Sequence, residues 1–159
     1  MPRIYTVEGE NISVTNAGGD ADFVELDAAT DKPIELFGIQ IQSTSEVQEA
    51  QEEWLRFRVI RGHTTSGSTP AATPTPRPVS AVDAAAGFTA EIYNTTIASA
   101  GTGVNLMTFA MNVRAGYEIF LPEGCGFWTS GSDLLVVRLM AAPADDLTAN
   151  MTFWVREYP

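Results

Sequence analysis

The chain has 159 residues, enough to bury a core as one domain spanning 1–159. Hydrophobic residues make up 45% of it, charged residues 18%, and the net charge is −11. This balance predicts an ordinary soluble domain, argues against nucleic-acid binding through a basic face, and leaves no apolar run long enough to span a membrane.

Residues 4–7 and 11–15 are rich in β-branched side chains and predict two short strands with Gly9 between them. Gly18-Gly19-Asp20 has turn chemistry. Residues 22–27 alternate, with Phe23 or Val24 setting the inward face. A strong strand is predicted over 34–42. Its apolar parity slips between Leu36 and Phe37, which predicts a bulge or bend just before Gly38. Residues 43–53 are polar and acidic and read as a loop with at most one helical turn.

Residues 54–61 alternate cleanly. Leu55, Phe57 and Val59 share one face, and Trp54, Arg56, Arg58 and Ile60 share the other. A polar segment follows over 62–80, with proline at 70, 74, 76 and 78. It is long for a compact domain and favours extended geometry. Further strands are predicted over 88–95, 106–113, 133–140 and 150–158. Residues 134–137 are all apolar, which predicts a central strand covered on both faces. The expected core includes Leu55, Phe57, Val59, Leu135, Val137, Phe153 and Val155. Many short strands with Gly, Pro and Asp between them, and no amphipathic helix, make the chain all-β. The expected architecture is a β-sandwich of jelly-roll type with one long Pro/Thr/Ser loop.

The sequence is poor in catalytic groups. His63 is the only histidine and lies in the polar segment, so neither a Ser-His-Asp nor a Cys-His arrangement is supported. One cysteine and one histidine do not make a zinc site. Cys125, in Gly124-Cys125-Gly126-Phe127-Trp128, reads as a small apolar filler beside aromatics rather than a nucleophile. Asp20 and Asp22 lack the pattern of a calcium loop, and Gly101-Thr102-Gly103 lacks the context of a phosphate loop. No pair stands out among the 20 acidic residues as a glycosidase couple. No enzyme activity and no cofactor or metal are expected. Lys32 is the single lysine, so eight of the nine basic residues are arginine, the side chain suited to fixed carboxylate contacts. A plain solvated strand face is the alternative reading of Arg56 and Arg58.

The stretch Leu55-Arg56-Phe57-Arg58-Val59-Ile60-Arg61-Gly62-His63-Thr64-Thr65-Ser66-Gly67-Ser68 is followed by Thr75-Pro76-Arg77-Pro78, Ala85-Ala86-Gly87 and Asn94-Thr95-Thr96. Together these resemble a family of small phage and prophage-encoded virion structural proteins. Asn112-Val113-Arg114-Ala115-Gly116, Leu135-Val136-Val137-Arg138-Leu139 and Ala141-Ala142-Pro143-Ala144-Asp145 extend the likeness, which runs from about Ile34 onward. The resemblance implies a capsid decoration or other head-surface protein. Its partners would be the major capsid protein and copies of itself, as a homo-oligomer such as a trimer. It would be made in the host cytoplasm without an export signal, and no catalytic residues are implied. The expected contact residues are Arg56, Arg58, Arg61, Arg77, Pro74, Pro76 and Pro78. The 62–80 segment would act as an arm toward a neighbour, with a disordered surface loop as the alternative. The competing function is a phage tail protein or a receptor- or carbohydrate-binding sandwich that stacks sugars on Trp54, Trp128 and Trp154.

Overall fold

The computed structural model describes residues 1–45 and 52–159. The helical turn considered for 43–53 falls largely on 46–51, outside the described residues. Twelve strands run in chain order: β1 (Arg3–Val14), β2 (Ala21–Asp27), β3 (Ile34–Ser43), β4 (Trp54–His63), β5 (Ser68–Ala72), β6 (Arg77–Pro78), β7 (Thr89–Thr96), β8 (Val104–Asn112), β9 (Tyr117–Phe120), β10 (Phe127–Thr129), β11 (Leu134–Leu139) and β12 (Leu147–Glu157). No helix occurs among the described residues.

The strands form two antiparallel sheets packed as a β-sandwich. The first has the order β10-β3-β12-β1-β6, with β9 also on β3; the second has the order β5-β7-β2-β11-β4-β8. The main ladders are nested: β1 pairs with β12, β2 with β11, β3 with β9 and β4 with β8, alternate pairs going to alternate sheets. The inserted strands β5 to β7 extend both sheets on the side of β1 and β2.

Alternation places the core. Along β12, Leu147, Ala149, Met151, Phe153, Val155 and Glu157 are buried while the residues between them are partly exposed. All seven residues expected in the core are buried. A run of rings crosses the sandwich: Phe23 meets Phe57 edge-on at 4.9 Å, Phe57 stacks on Phe109 at 5.1 Å, and Phe109 stacks on Tyr117 at 4.1 Å. β11 lies centrally and is buried throughout. Its outer face is covered through a small second cluster of Ile60, Ala98, Leu134 and Val136.

The parity slip in β3 is a bulge. Trp154 faces Gly38 and Val155 faces Leu36, so Phe37 is the extra residue. Gly38 carries no side chain because a Cβ there would lie 2.7 Å from the Phe120 ring and 2.8 Å from Trp154. A similar slip opposite Val137 and Arg138 leaves Phe23 unpaired on β2, so both Phe23 and Val24 reach the core.

Three expectations are corrected. The N-terminal segment is one long strand, not two: a bulge between Gly9 and Ile12 keeps it paired with β12 on both sides. Gly9 is required there by close contact with Ile92 and Met151, not by a turn. Cys125 is exposed rather than packed among aromatics. It lies on a turn whose N–H bonds Pro122 O, and Gly126 makes the close inward approach instead. The 62–78 segment is held along its length by its own chain. β5 pairs with β7, β6 pairs with β1, and Thr65 bridges Ser99. The open edges of β7 and β1 supply ladder partners that a purely polar loop would otherwise lack.

Candidate functional site

Four strand carboxylates are buried, and each accepts a main-chain N–H from a distant loop. Asp22 Oδ2 takes Ala98 N at 2.7 Å, and Glu25 Oε2 takes Gly67 N at 2.9 Å. Glu35 Oε1 takes Gly126 N at 2.8 Å, and Glu157 Oε1 takes Gly87 N at 2.6 Å. Three of these loop residues are glycines. A Cβ at Gly87 would lie 2.7 Å from Glu157 Oε1, and one at Gly126 would lie 2.6 Å from Glu35 Cγ. The loops are thus pinned by charge-assisted main-chain bonds, and at Gly67, Gly87 and Gly126 the approach leaves no room for a Cβ.

The pins are completed by cations and hydroxyls. Arg138 holds Asp22 through Nε at 2.6 Å and also donates to Ala98 O at 2.9 Å. Asp22 is therefore committed to an ion pair and not to a calcium loop with Asp20. Ser66 donates to Glu25 at 2.5 Å. Arg156 and Tyr158 donate to Glu35 Oε2 at 3.1 and 2.9 Å. Arg156 lies 3.7 Å over the Phe37 ring, and Trp128 packs on Tyr158 at 4.5 Å. Burial by itself raises the Glu35 pKa; the bonds from Gly126, Tyr158 and Arg156 outweigh it and hold the carboxyl below its ordinary value. Tyr158 is pushed up to about 12, first by burial and then by its bond to Glu35 and that group's charge. These groups hold structure. Glu157 also lines a depression with Arg3 and Lys32.

His63 ends β4 with Nδ1 3.1 Å from Ala100 O, its ring's one hydrogen bond among the described residues. The expected contact residues separate. Arg61 is half-buried, donates to Trp128 O at 3.1 Å, and lines a depression of about 330 Å³ with Pro33, Ser130 and Asp133. Arg77 is exposed and lines a different depression with Thr6, Glu8, Glu10, Pro74 and Thr75. The two arginines that flank the inserted segment therefore lie at separate surface depressions. Pro74 and Pro78 are half-buried, and Pro76 is buried in its own chain. Pro74 and Pro76 border an apolar recess with Ala86, Phe88 and Ala90.

Arg56 and Arg58 remain together. Both are exposed on the outer face of β4 beside Trp54, itself 62% exposed. Among the described residues neither is in an ion pair. Opposite them on β8 stand Ala110 and Thr108, both small and exposed. Trp154 points outward from the other sheet, where its ring meets Phe120 at 5.7 Å, and Trp128 lies beside Tyr158 in that same sheet. The three tryptophans are on opposite sides of the sandwich and form no common stacking platform.

No protein-family model matches the chain. No curated protein matches it. Among solved structures, a chain of an infectious bursal disease virus structure, Gx strain, is similar at 15% identity with a TM-score of 0.23. The match takes in all of this chain, which spans 41% of that one. A likeness at that score carries no argument here.

Proposed function

We propose that this chain is a non-enzymatic structural protein of a bacteriophage virion, a decoration protein of the head surface that works by binding the major capsid protein and copies of itself. The observation that carries this reading is the Trp54–Arg56–Arg58 face. In a chain with a net charge of −11, two neighbouring arginines and a tryptophan stand exposed with no ion pair among the described residues, while buried Asp22 and Glu35 are each paired with an arginine within the fold. Exposed tryptophan and arginine together are typical of contact hot spots.

The nested strand order supports the same reading. Four antiparallel pairs placed alternately in two sheets support the jelly-roll architecture we propose for this β-sandwich, one used by viral capsid domains, lectins and cupins. A cupin-type metal centre needs clustered ligands, and His63 stands alone. A lectin platform of the three tryptophans is not formed, because they lie on opposite faces. Fold alone does not assign function; the sequence resemblance and the unpaired cationic face together favour assembly. Sedimentation of the purified chain with empty phage heads tests the proposal. Saturable co-sedimentation that weakens with added salt is expected. No binding at any salt concentration would refute it.

A further inference from the structure

We propose that the free edge of β8 accepts one added strand from a partner chain, and that this strand carries carboxylates at alternate positions facing Arg56 and Arg58. The inference deepens the assembly reading by naming how the partner binds and with what chemistry.

The two edges of the second sheet differ. At one end β5 is short, contains Pro70, and has Thr69 at φ 56°, so it is blunted against further pairing. At the other end β8 has nine residues, Val-Asn-Leu-Met-Thr-Phe-Ala-Met-Asn, without a charge, a proline or a glycine. Main-chain direction along β8 follows from two bonds. Met140 N donates to Arg56 O, so Arg56 and Arg58 face β11 with their main-chain groups; Val113 N donates to Glu53 O, so Leu55, Phe57 and Val59 face β8. Met111, Phe109 and Met107 therefore close the ladder with β4. Thr108 and Ala110 turn their N–H and C=O groups outward, and both residues are exposed. The slip at Leu106 bounds this open edge on one side. On the other, Asn112 O already accepts from Ala115 and Gly116.

The side chains fit an acidic strand. Adjacent strands are about 4.8 Å apart, so an added strand lies roughly 10 Å from β4. An extended arginine spans that distance if the residue between is small, and here those residues are Thr108 opposite Arg58 and Ala110 opposite Arg56. Carboxylates two residues apart on the added strand share one face and meet the two guanidinium groups. A second copy pairing β8 to β8 is disfavoured. It would turn four arginines toward one seam with no carboxylate between them. Main-chain bonds would give the added strand its affinity, and the arginines its choice of partner.

The test uses the full chain and a synthetic peptide in which glutamate alternates with valine and threonine, with a glutamine version as control. Amide resonances of Thr108 and Ala110 are expected to shift with the glutamate peptide and not with the control. Ala110→Pro removes an N–H that no described residue accepts, so the fold should survive, checked by its circular dichroism melt, while peptide binding is lost. Arg56→Gln and Arg58→Gln should each weaken binding by roughly tenfold. Equal binding of the two peptides, shifts confined to other strands, or full binding by folded Ala110→Pro would overturn the inference. A wild-type dimer abolished by Ala110→Pro would overturn it in favour of a second copy. If folded Ala110→Pro binds heads like wild type, the edge inference falls and the virion reading stands. If the peptide binds at the edge but wild type ignores heads, the virion reading falls and the edge inference stands.

Discussion

Replacing Glu35 by Gln should destabilise the protein by about 3 kcal/mol at neutral pH. The change keeps the size of the side chain and removes its charge. Glu35 is fully buried, and its two oxygens receive only donors: Gly126 N on one, Arg156 and Tyr158 on the other. An amide NH2 in either orientation points at a donor and leaves Arg156 without its counter-charge. Breaking a buried pair by removing one partner costs about 3–5 kcal/mol. The lower end applies because Arg156 is 12% exposed and keeps its place over the Phe37 ring. Urea unfolding followed by tryptophan fluorescence measures the difference. It should depend on pH with a definite sign. The folded pKa of Glu35 lies below its ordinary value of 4.5, so its contribution is complete above that value and is lost as pH falls through the lower, folded one. The gap between wild type and variant should therefore shrink in acid. A gap under about 1 kcal/mol at neutral pH, within the range of a single neutral hydrogen bond, would refute the reasoning, as would a gap that acid does not change.

Phe57→Ala should cost about 3–5 kcal/mol, since the ring is fully buried between Phe23 and Phe109; urea unfolding reads this directly. Arg138→Met should cost a similar amount by leaving Asp22 charged and unpaired, and should speed hydrogen exchange at Ala98, whose carbonyl and N–H belong to the same knot. Tyr158 should ionise near pH 12, seen as a phenolate absorbance step missing from Tyr158→Phe. Because its pKa is raised in the fold, its contribution is intact below the unfolded value and falls as pH rises toward 12.

Strand alternation was readable because period-2 patterning survives in isolated segments. Leu55, Phe57 and Val59 declare the inward face of β4 without any knowledge of its neighbours, and the slip at Phe37 declares a bulge in the same way. Long-range partners were not readable. Asp22, Glu25, Glu35 and Glu157 look like ordinary polar positions in alternating strands; only the pairing of β2, β3 and β12 shows them buried under loops. The glycines at 67, 87 and 126 were the available signal, since each lies in a loop where close approach of the main chain is needed. The course of 62–78 was hidden for a related reason. Proline spacing predicts extended chain, but it does not reveal that the edges of β7 and β1 are open to receive it. Arg56 and Arg58 were legible as a face from alternation alone. That Thr108 and Ala110 stand opposite them required the register of β4 with β8.

The central claim is that the β4–β8 face is the contact surface. Hydroxyl-radical footprinting of the chain, free and bound to empty heads, tests it most directly. The account predicts strong protection on binding at Trp54, 62% exposed in the free chain, with Trp128, Trp154 and Phe120 on the opposite sheet unchanged. Protection of the opposite sheet with Trp54 left fully reactive would contradict it.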